Sequence, residues 1–367
     1  MVVAGRGHDG GVRDTPYLAV DETLLESNLA AMADHARQHG LALRPHAKTH
    51  KTPEIARRQL AHGAVGLTVA TVGEAEVFAD AGFDDLFIAY PVWAEGPRGQ
   101  RLHDLAGRVR LRVGADSVAA VGMLARAASG GEHPVPIAVV VEVDSGHHRS
   151  GIEPARAAEV AAAAREQGLS VDGVFTFPGH SYGPDEARRA AGDEEASLRV
   201  ARDALLAVGI PCPVVSGGST PSAGESRGDL LTELRPGVYP FYDAQQWELG
   251  TVGPGRIALT AVATVVSVRG DRVVVDAGSK IIAADRPTYA SGHGRLPAHP
   301  GARVVALSEH HATIAWPANA PLPVLGERVR IAPNHVCTAI NLVDELVVER
   351  GGAEVGTWAV AARGRNT

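Results

Sequence analysis

Cysteine is almost missing from this chain: Cys212 and Cys337 are the only two, and they lie far apart in sequence. A disulfide framework is therefore excluded, and a reducing cytoplasm is the natural setting. There is no basic excess either. A net charge of −7 and a pI near 6.1 argue against nucleic acid as the main partner. No apolar run is long enough to span a bilayer, and Met1 to Arg13 is Gly-rich and polar without an apolar stretch, so neither a membrane anchor nor a secretory signal is expected. Aromatic residues make up only 4%, while Ala and Gly are plentiful. What remains is a soluble, globular composition: 367 residues with 45% hydrophobic side chains, enough for a large core and for more than one domain.

The first two-thirds reads as a regular alternation of strands and helices. Strand-like runs fall at Leu41–Lys48, Val65–Ala70, Leu86–Tyr90, Val109–Val113, Ile137–Val143, Val171–Phe177, Val214–Ser216 and Leu234–Tyr239. Helical periodicity marks Gly73–Ala81, Ser117–Ala128, Pro154–Gln167 and Asp185–Val208, whereas the connection from Ser216 to Leu234 shows no clear helix. Eight such strands predict a (β/α)8 TIM barrel over residues 16–250, with an open doubly wound sheet as the rival. After Gly250 the pattern turns to short β-type runs punctuated by Gly and Pro. Residues 251–367 therefore read as an all-β domain, with which residues 1–15 are free to pack.

Chemistry concentrates at Arg44-Pro45-His46-Ala47-Lys48-Thr49-His50-Lys51. The alternation from Leu41 puts Leu43, Pro45 and Ala47 on one face and Arg44, His46 and Lys48 on the other. A lysine on the polar face of a buried strand is costly to desolvate, so it is paired, deprotonated or covalently used. Thr52-Pro53-Glu54 then supplies an N-cap and an N1 proline, which places Lys48 at the carboxyl end of the first strand. Lys51 falls in the turn that follows. The run Ser216-Gly217-Gly218-Ser219-Thr220 carries small residues and hydroxyls after the seventh strand, where barrels hold phosphate; alone, such a run is more often a plain turn. Val143–Gly151 contains Arg149, Phe175–Tyr182 contains Gly179-His180-Ser181-Tyr182, and Glu233–Tyr239 contains Arg235, Gly237 and Val238. Either arginine reads by itself as an ordinary salt-bridge residue. Near the end, His335 and Cys337 stand at i and i+2, side by side if they lie on a strand. Taken alone, that pair reads sooner as a buried cysteine beside a surface histidine, because closed zinc sites need four ligands. The alternative is a catalytic ion with open positions.

Together, RPHAKTHKTPEIA, DSGHHRSG, GHSY, SGGST, ELRPGVYPFYD and NHVCTAINL resemble the D-threonine aldolase/D-serine dehydratase family, from about Pro16 to Asp344. These are pyridoxal-phosphate enzymes of the alanine racemase-like fold type III. The resemblance implies that Lys48 carries the cofactor as a Schiff base and serves as base at the substrate α-carbon. It implies that Ser216, Gly218, Ser219, Thr220, Gly237 and Val238 surround the phosphate, and that Arg149, Tyr182 and Arg235 lie near the ring or its substituents. His335 and Cys337 match the metal-binding pair of the D-serine dehydratase branch, with zinc ahead of manganese because one ligand is a thiolate. The aldolase branch tends to have an aspartate where this chain has Cys337, which favours dehydration. Phe175 stands where some relatives have a tyrosine, a difference expected in the substrate pocket.

What the resemblance implies in function is a metal-assisted lyase on a small D-β-hydroxy amino acid, as a homodimer, with no nucleic-acid or membrane partner. Loss of the β-hydroxyl needs an acid, since hydroxide leaves poorly, and a Lewis-acidic metal can fill that role. Retro-aldol cleavage to glycine and an aldehyde uses the same parts and is the alternative. A racemase would not need the His335/Cys337 pair, and a non-catalytic cofactor-binding protein of the barrel alone would lack the region after Gly250.

Overall fold

The computed structural model describes residues 13–367. Eight parallel strands form one sheet: Ala42–Leu43, Leu67–Val69, Asp85–Pro91, Arg110–Ala115, Ile137–Glu142, Ser170–Phe175, Val214–Gly217 and Glu233–Leu234. Each pairs with the next in sequence except across one seam, and the last pairs back onto the first through Ala42↔Glu233 and Leu43↔Leu234. At the seam, Val65 N–H donates to Leu43 O and Thr68 N–H to Pro45 O, both at 2.9 Å, beside a parallel bridge between His46 and Thr68. The strand Ile137–Glu142 reads IAVVVE, the continuous apolar run of a parallel strand covered on both faces. The last strand is shorter than the run Leu234–Tyr239 suggests, and Pro236, without an N–H, follows two residues after it ends.

The helices Glu22–Gln38, Pro53–Ala61, Val72–Asp80, Gly96–Ala106, Val118–Ser129, Ala157–Glu166 and Ala187–Ala207 alternate with these strands. The connection before Glu233 holds only a 3-10 turn, Ala223–Glu225. The helix Gly96–Ala106 escapes a sequence reading because it opens Gly-Pro-Arg-Gly; Gly99 is required there, since a Cβ would come within 2.7 Å of Ala94 O. Inside the ring of strands, Phe87, Ala89, Val140 and Phe175 form their own small core, with the Phe87 and Phe175 rings edge to face at 5.0 Å. Below it, Arg44 is clamped between Asp85 Oδ1 at 2.6 Å and Glu233 Oε2 at 2.7 Å.

The second region is a nine-stranded, mostly antiparallel sheet. Third from one edge stands Tyr17–Asp21, which pairs antiparallel with Leu259–Arg269 and parallel with Glu345–Arg350. The 16–250 division assigns that segment to the first region, but its hydrogen bonds lie in the second sheet, and the chain enters the parallel sheet only after the helix Glu22–Gln38. Five residues with three buried in a row give no alternation to read. Arg13 binds Glu345 and Glu354, and Thr15 meets Thr264 and Asp276, so residues 13–15 also lie on this sheet. The expectation for residues 1–12 lies outside the described residues.

Candidate active site

A cavity of about 330 Å3 opens at the carboxyl ends of the parallel strands, against the short helix Val336–Ile340 of the second region. Lys48 reaches it from the 3-10 turn Ala47–Thr49 and not from a strand end, because the strand expected to run from Leu41 to Lys48 stops at Leu43. Isolated backbone bonds carry the chain on past it, Arg44 N–H to Leu234 O at 2.9 Å and His46 N–H to Pro236 O at 3.0 Å, before it turns. Lys48 Nζ donates to Tyr90 Oη at 3.0 Å and lies over the Tyr90 and Phe177 rings at 5.5 and 5.7 Å. Arg149 stacks on the same two rings, at 4.9 and 5.1 Å. Burial raises the Tyr90 phenol, but Lys48 and then Arg149 outweigh it, and its pKa falls below the ordinary value. His46, buried beside them, is held neutral by burial and by the cations Lys48, Arg235 and Arg149, and its Nδ1 has no hydrogen-bond partner.

Across the cavity, Ser219, Thr220, Gly237 and Val238 form the wall. Ser219 Oγ meets Ser181 Oγ and Ser222 Oγ at 2.8 Å, and Val238 N–H donates to Thr220 Oγ1 at 3.0 Å. Gly237 is there because backbone must come close: a Cβ would stand 2.8 Å from Thr49 Oγ1. Ser216 and Gly218 face elsewhere. Ser216 Oγ donates to Glu233 Oε1 at 2.7 Å and accepts from Arg235 Nε at 2.8 Å, while the Gly218 N–H is donated to Glu194 at 2.6 Å. Arg235 is fully enclosed over the Phe87 and Phe175 rings, bonded to Ser216 and Thr176 O, and reaches the cavity from its floor. Phe175 is thus a support beneath Arg235 rather than part of the pocket wall.

His335 and Cys337 do come together, though not on a strand. The strand Arg328–Pro333 ends at a proline, His335 caps the helix Val336–Ile340, and Cys337 sits in its first turn. Asp243, fully buried, lies 3.4 Å from His335 Nδ1 without hydrogen-bond alignment and accepts the Val336 N–H at 3.2 Å. Burial lowers the imidazole and raises the thiol. The pair's mutual attraction, with Asp243 acting on His335 and Lys48 on Cys337, reverses both, so His335 is raised well above its ordinary value and Cys337 is lowered. Cys337 Sγ also contacts Thr49 Oγ1 at 3.3 Å, which ties this helix to the turn of Lys48. Tyr182 lines the space between; burial and the neighbouring Cys337 and Asp243 push its pKa well up, so it stays a neutral phenol. Among the described residues, no group of three or more His, Cys, Asp and Glu side chains is gathered for a metal ion.

The structure adds residues that the sequence reading did not single out. Tyr90 could have been found from its place at the carboxyl end of a barrel strand. Thr49, Phe177 and Gln245 line the cavity, and Asp243 stands behind His335, without any pattern that marks them.

The alanine racemase N-terminal domain family matches residues 20–245, and a serine dehydratase domain family matches residues 258–349. The chain is 35% identical to the D-threo-3-hydroxyaspartate dehydratase of Delftia sp. (strain HT23) over 94% of its length and 96% of that protein. The solved structure of that dehydratase superposes with a TM-score of 0.86 at 32% identity, covering 95% of this chain and 97% of that one. A cysteine variant of it has been solved in a metal-free form. The D-threonine aldolase of Arthrobacter sp. is also 35% identical, over 96% of this chain and 93% of that protein. The crystal structure of D-threonine aldolase from Filomicrobium marinum gives a TM-score of 0.83 at 34% identity, covering 96% of both chains. In sequence and in architecture, therefore, the chain belongs to the D-threonine aldolase/D-serine dehydratase family of alanine racemase-like, fold type III pyridoxal-phosphate enzymes.

Proposed function

We propose that this protein is a pyridoxal-phosphate- and metal-dependent lyase that dehydrates D-β-hydroxy amino acids to a keto acid and ammonia. The observation that carries the reading is the convergence of Lys48, a hydroxyl-lined wall and the His335/Cys337 pair on one cavity. The residues fit the cofactor: Ser219, Thr220 and the close-approach backbone at Gly237 and Val238 suit a phosphate, Lys48 would hold the aldehyde carbon, and Arg235 approaches from the floor. When bound, the cofactor supplies an electron sink for the bond broken at the substrate α-carbon.

The chain's own groups divide the remaining work. Lys48 moves the proton at the α-carbon, steadied by Tyr90 Oη and flanked by Phe177, which limits water on that side. Arg149, stacked on Tyr90 and Phe177, keeps the positive field beside Lys48. His335 and Cys337 would hold the metal, with the Asp243 carboxylate behind the imidazole at 3.4 Å; a nitrogen and a thiolate favour zinc and leave positions for substrate oxygen. The metal would supply Lewis acidity toward the β-hydroxyl. Tyr182, kept neutral, can donate a hydrogen bond into the same space. Retro-aldol cleavage to glycine and an aldehyde is the second reading, favoured by an aldolase relative at equal identity. We further propose a homodimer working in the cytoplasm, where the free Cys337 thiol stays reduced.

Product analysis on a panel of D- and L-β-hydroxy amino acids tests this. Keto acid plus ammonia from D-substrates is expected. Glycine plus aldehyde would transfer the assignment to the aldolase reading, and a protein that binds no cofactor and turns over none of them would refute both.

A further inference from the structure

The loop 216–220 is held from behind by an acid that no motif marks. Glu194 lies in the helix Ala187–Ala207, and its residue is 1% exposed. Its Oε1 accepts the Gly218 N–H at 2.6 Å. The two glycines follow from that contact: a Cβ on Gly217 would stand 2.3 Å from the same oxygen, and Gly218 adopts a left-handed φ of 82°.

Charges around Glu194 are already committed. Arg235, the cation it feels, gives its N–H groups to Ser216 and Thr176, and Glu233 is engaged with Arg44 and Ser216. From the turn Gly179–Tyr182, His180 faces Asp193, the helix neighbour of Glu194, at 3.2 Å. Asp193 also faces Arg189, and Glu195 pairs with Arg199 on the outer face of the helix. The loop itself carries no titratable side chain. Burial pushes the Glu194 carboxyl up to about 7, so near neutral pH it sits between its two states.

We propose that Glu194 is the positioning residue of the phosphate loop and that its proton is coupled to the occupant: a phosphate dianion docking at Ser219 and Thr220 drives Glu194 to the protonated form. Two anions on opposite sides of one short, dry loop repel each other, and protonation removes that repulsion. The neutral carboxyl still offers a carbonyl oxygen to Gly218, so the loop keeps its shape. The proton comes from solvent, and the uptake approaches one per phosphate bound as pH rises above 7. This rests on the cofactor reading above.

The test is calorimetric titration of the apoenzyme with pyridoxal 5'-phosphate at pH 8, in two buffers of different ionisation enthalpy. Wild type should take up about one proton more than Glu194→Gln. The ratio of wild-type to E194Q affinity should fall up to roughly tenfold per pH unit above 7, and cofactor titrations cancel in that ratio. Pyridoxal, which lacks the phosphate, should give a flat ratio. Cofactor binding with equal proton counts and a flat ratio overturns the proposal alone. Absence of cofactor binding to either protein overturns it together with the cofactor reading. If Glu194→Gln does not fold, wild type decides by itself: no greater proton uptake with the phosphate ester than with pyridoxal overturns the proposal.

Discussion

Replacing Glu233 by glutamine probes the polar chain that runs through the parallel sheet to the active site. Arg44 is 2% exposed and shared by Asp85 and Glu233; the second Glu233 oxygen takes the Ser216 hydroxyl, and Ser216 in turn takes Arg235 Nε–H. Glutamine keeps the shape but brings one oxygen and one NH2 to two donors, so either Arg44 or Ser216 meets a donor in place of an acceptor. Breaking a buried ion pair costs about 3–5 kcal/mol, and a single hydrogen bond to a charged group about 1.5–3. Because Asp85 still holds Arg44, a loss of about 2–4 kcal/mol is expected. An unfolding entropy of about 2.1 cal/mol/K per residue over 367 residues gives roughly 0.8 kcal/mol per degree, hence a Tm lower by about 3–5 °C. Differential scanning calorimetry on wild type, Glu233→Gln, Arg44→Met and the double variant measures it. The double variant should lose less than the sum of the singles, because the charge left unpaired by one change is removed by the other. A Glu233→Gln protein melting within a degree of wild type, or strict additivity, would refute the reasoning.

Three further outcomes follow from the same geometry. His50 is pushed down to about 4 by burial, while Nδ1 accepts the Thr52 N–H and Nε2 faces Gln59 Oε1. Its unfolded form titrates near 6.5, so between those values the unfolded state holds the extra proton; stability is full above pH 6.5 and falls by roughly 3 kcal/mol toward pH 4. His50→Asn, which can still accept from Thr52, should flatten that part of the acid limb in urea melts at pH 4.5 and 7, and an unchanged slope would count against it. Gly237→Ala places a methyl against Thr49 Oγ1 and should weaken cofactor binding at least about tenfold by fluorescence titration, at an overpacking cost of about 1–3 kcal/mol. Chelation, or Cys337→Ser, should abolish turnover while the colour of the lysine-bound cofactor persists, with metal analysis showing about one ion per wild-type chain; full activity in the metal-free protein would contradict the assignment of His335 and Cys337.

The succession of apolar runs was enough to mark all eight strands in order, because parallel strands covered on both faces are largely apolar, but the first and last are only two residues long where the runs Leu41–Lys48 and Leu234–Tyr239 suggest more. Lys48 stood out because a buried charge in such a run has few explanations, and it does line the cavity, though from a 3-10 turn and not from a strand end. Local pattern failed where long-range pairing decides. Tyr17–Asp21 is too short to alternate, yet joins the far sheet because two distant strands leave a gap between them. His335 and Cys337 carry no sign of their helix, whose start depends on Asp243, 92 residues away from His335 and accepting the next residue's N–H. Lys51 looked like a turn residue and is one, but only the folded chain buries it against Glu74, at 2.9 Å, beneath the C-terminal segment.

By itself, then, the order of residues determined the succession of a parallel-strand region and a β-rich region and drew attention to Lys48, since both follow from periodicity and the cost of burying charge. Only the tertiary structure decided which hydroxyls face the cavity, that Ser216 and Gly218 turn away to Glu233 and Glu194, and that Tyr90 meets Lys48. Those choices depend on which partner stands within hydrogen-bond reach, and packing alone sets that distance.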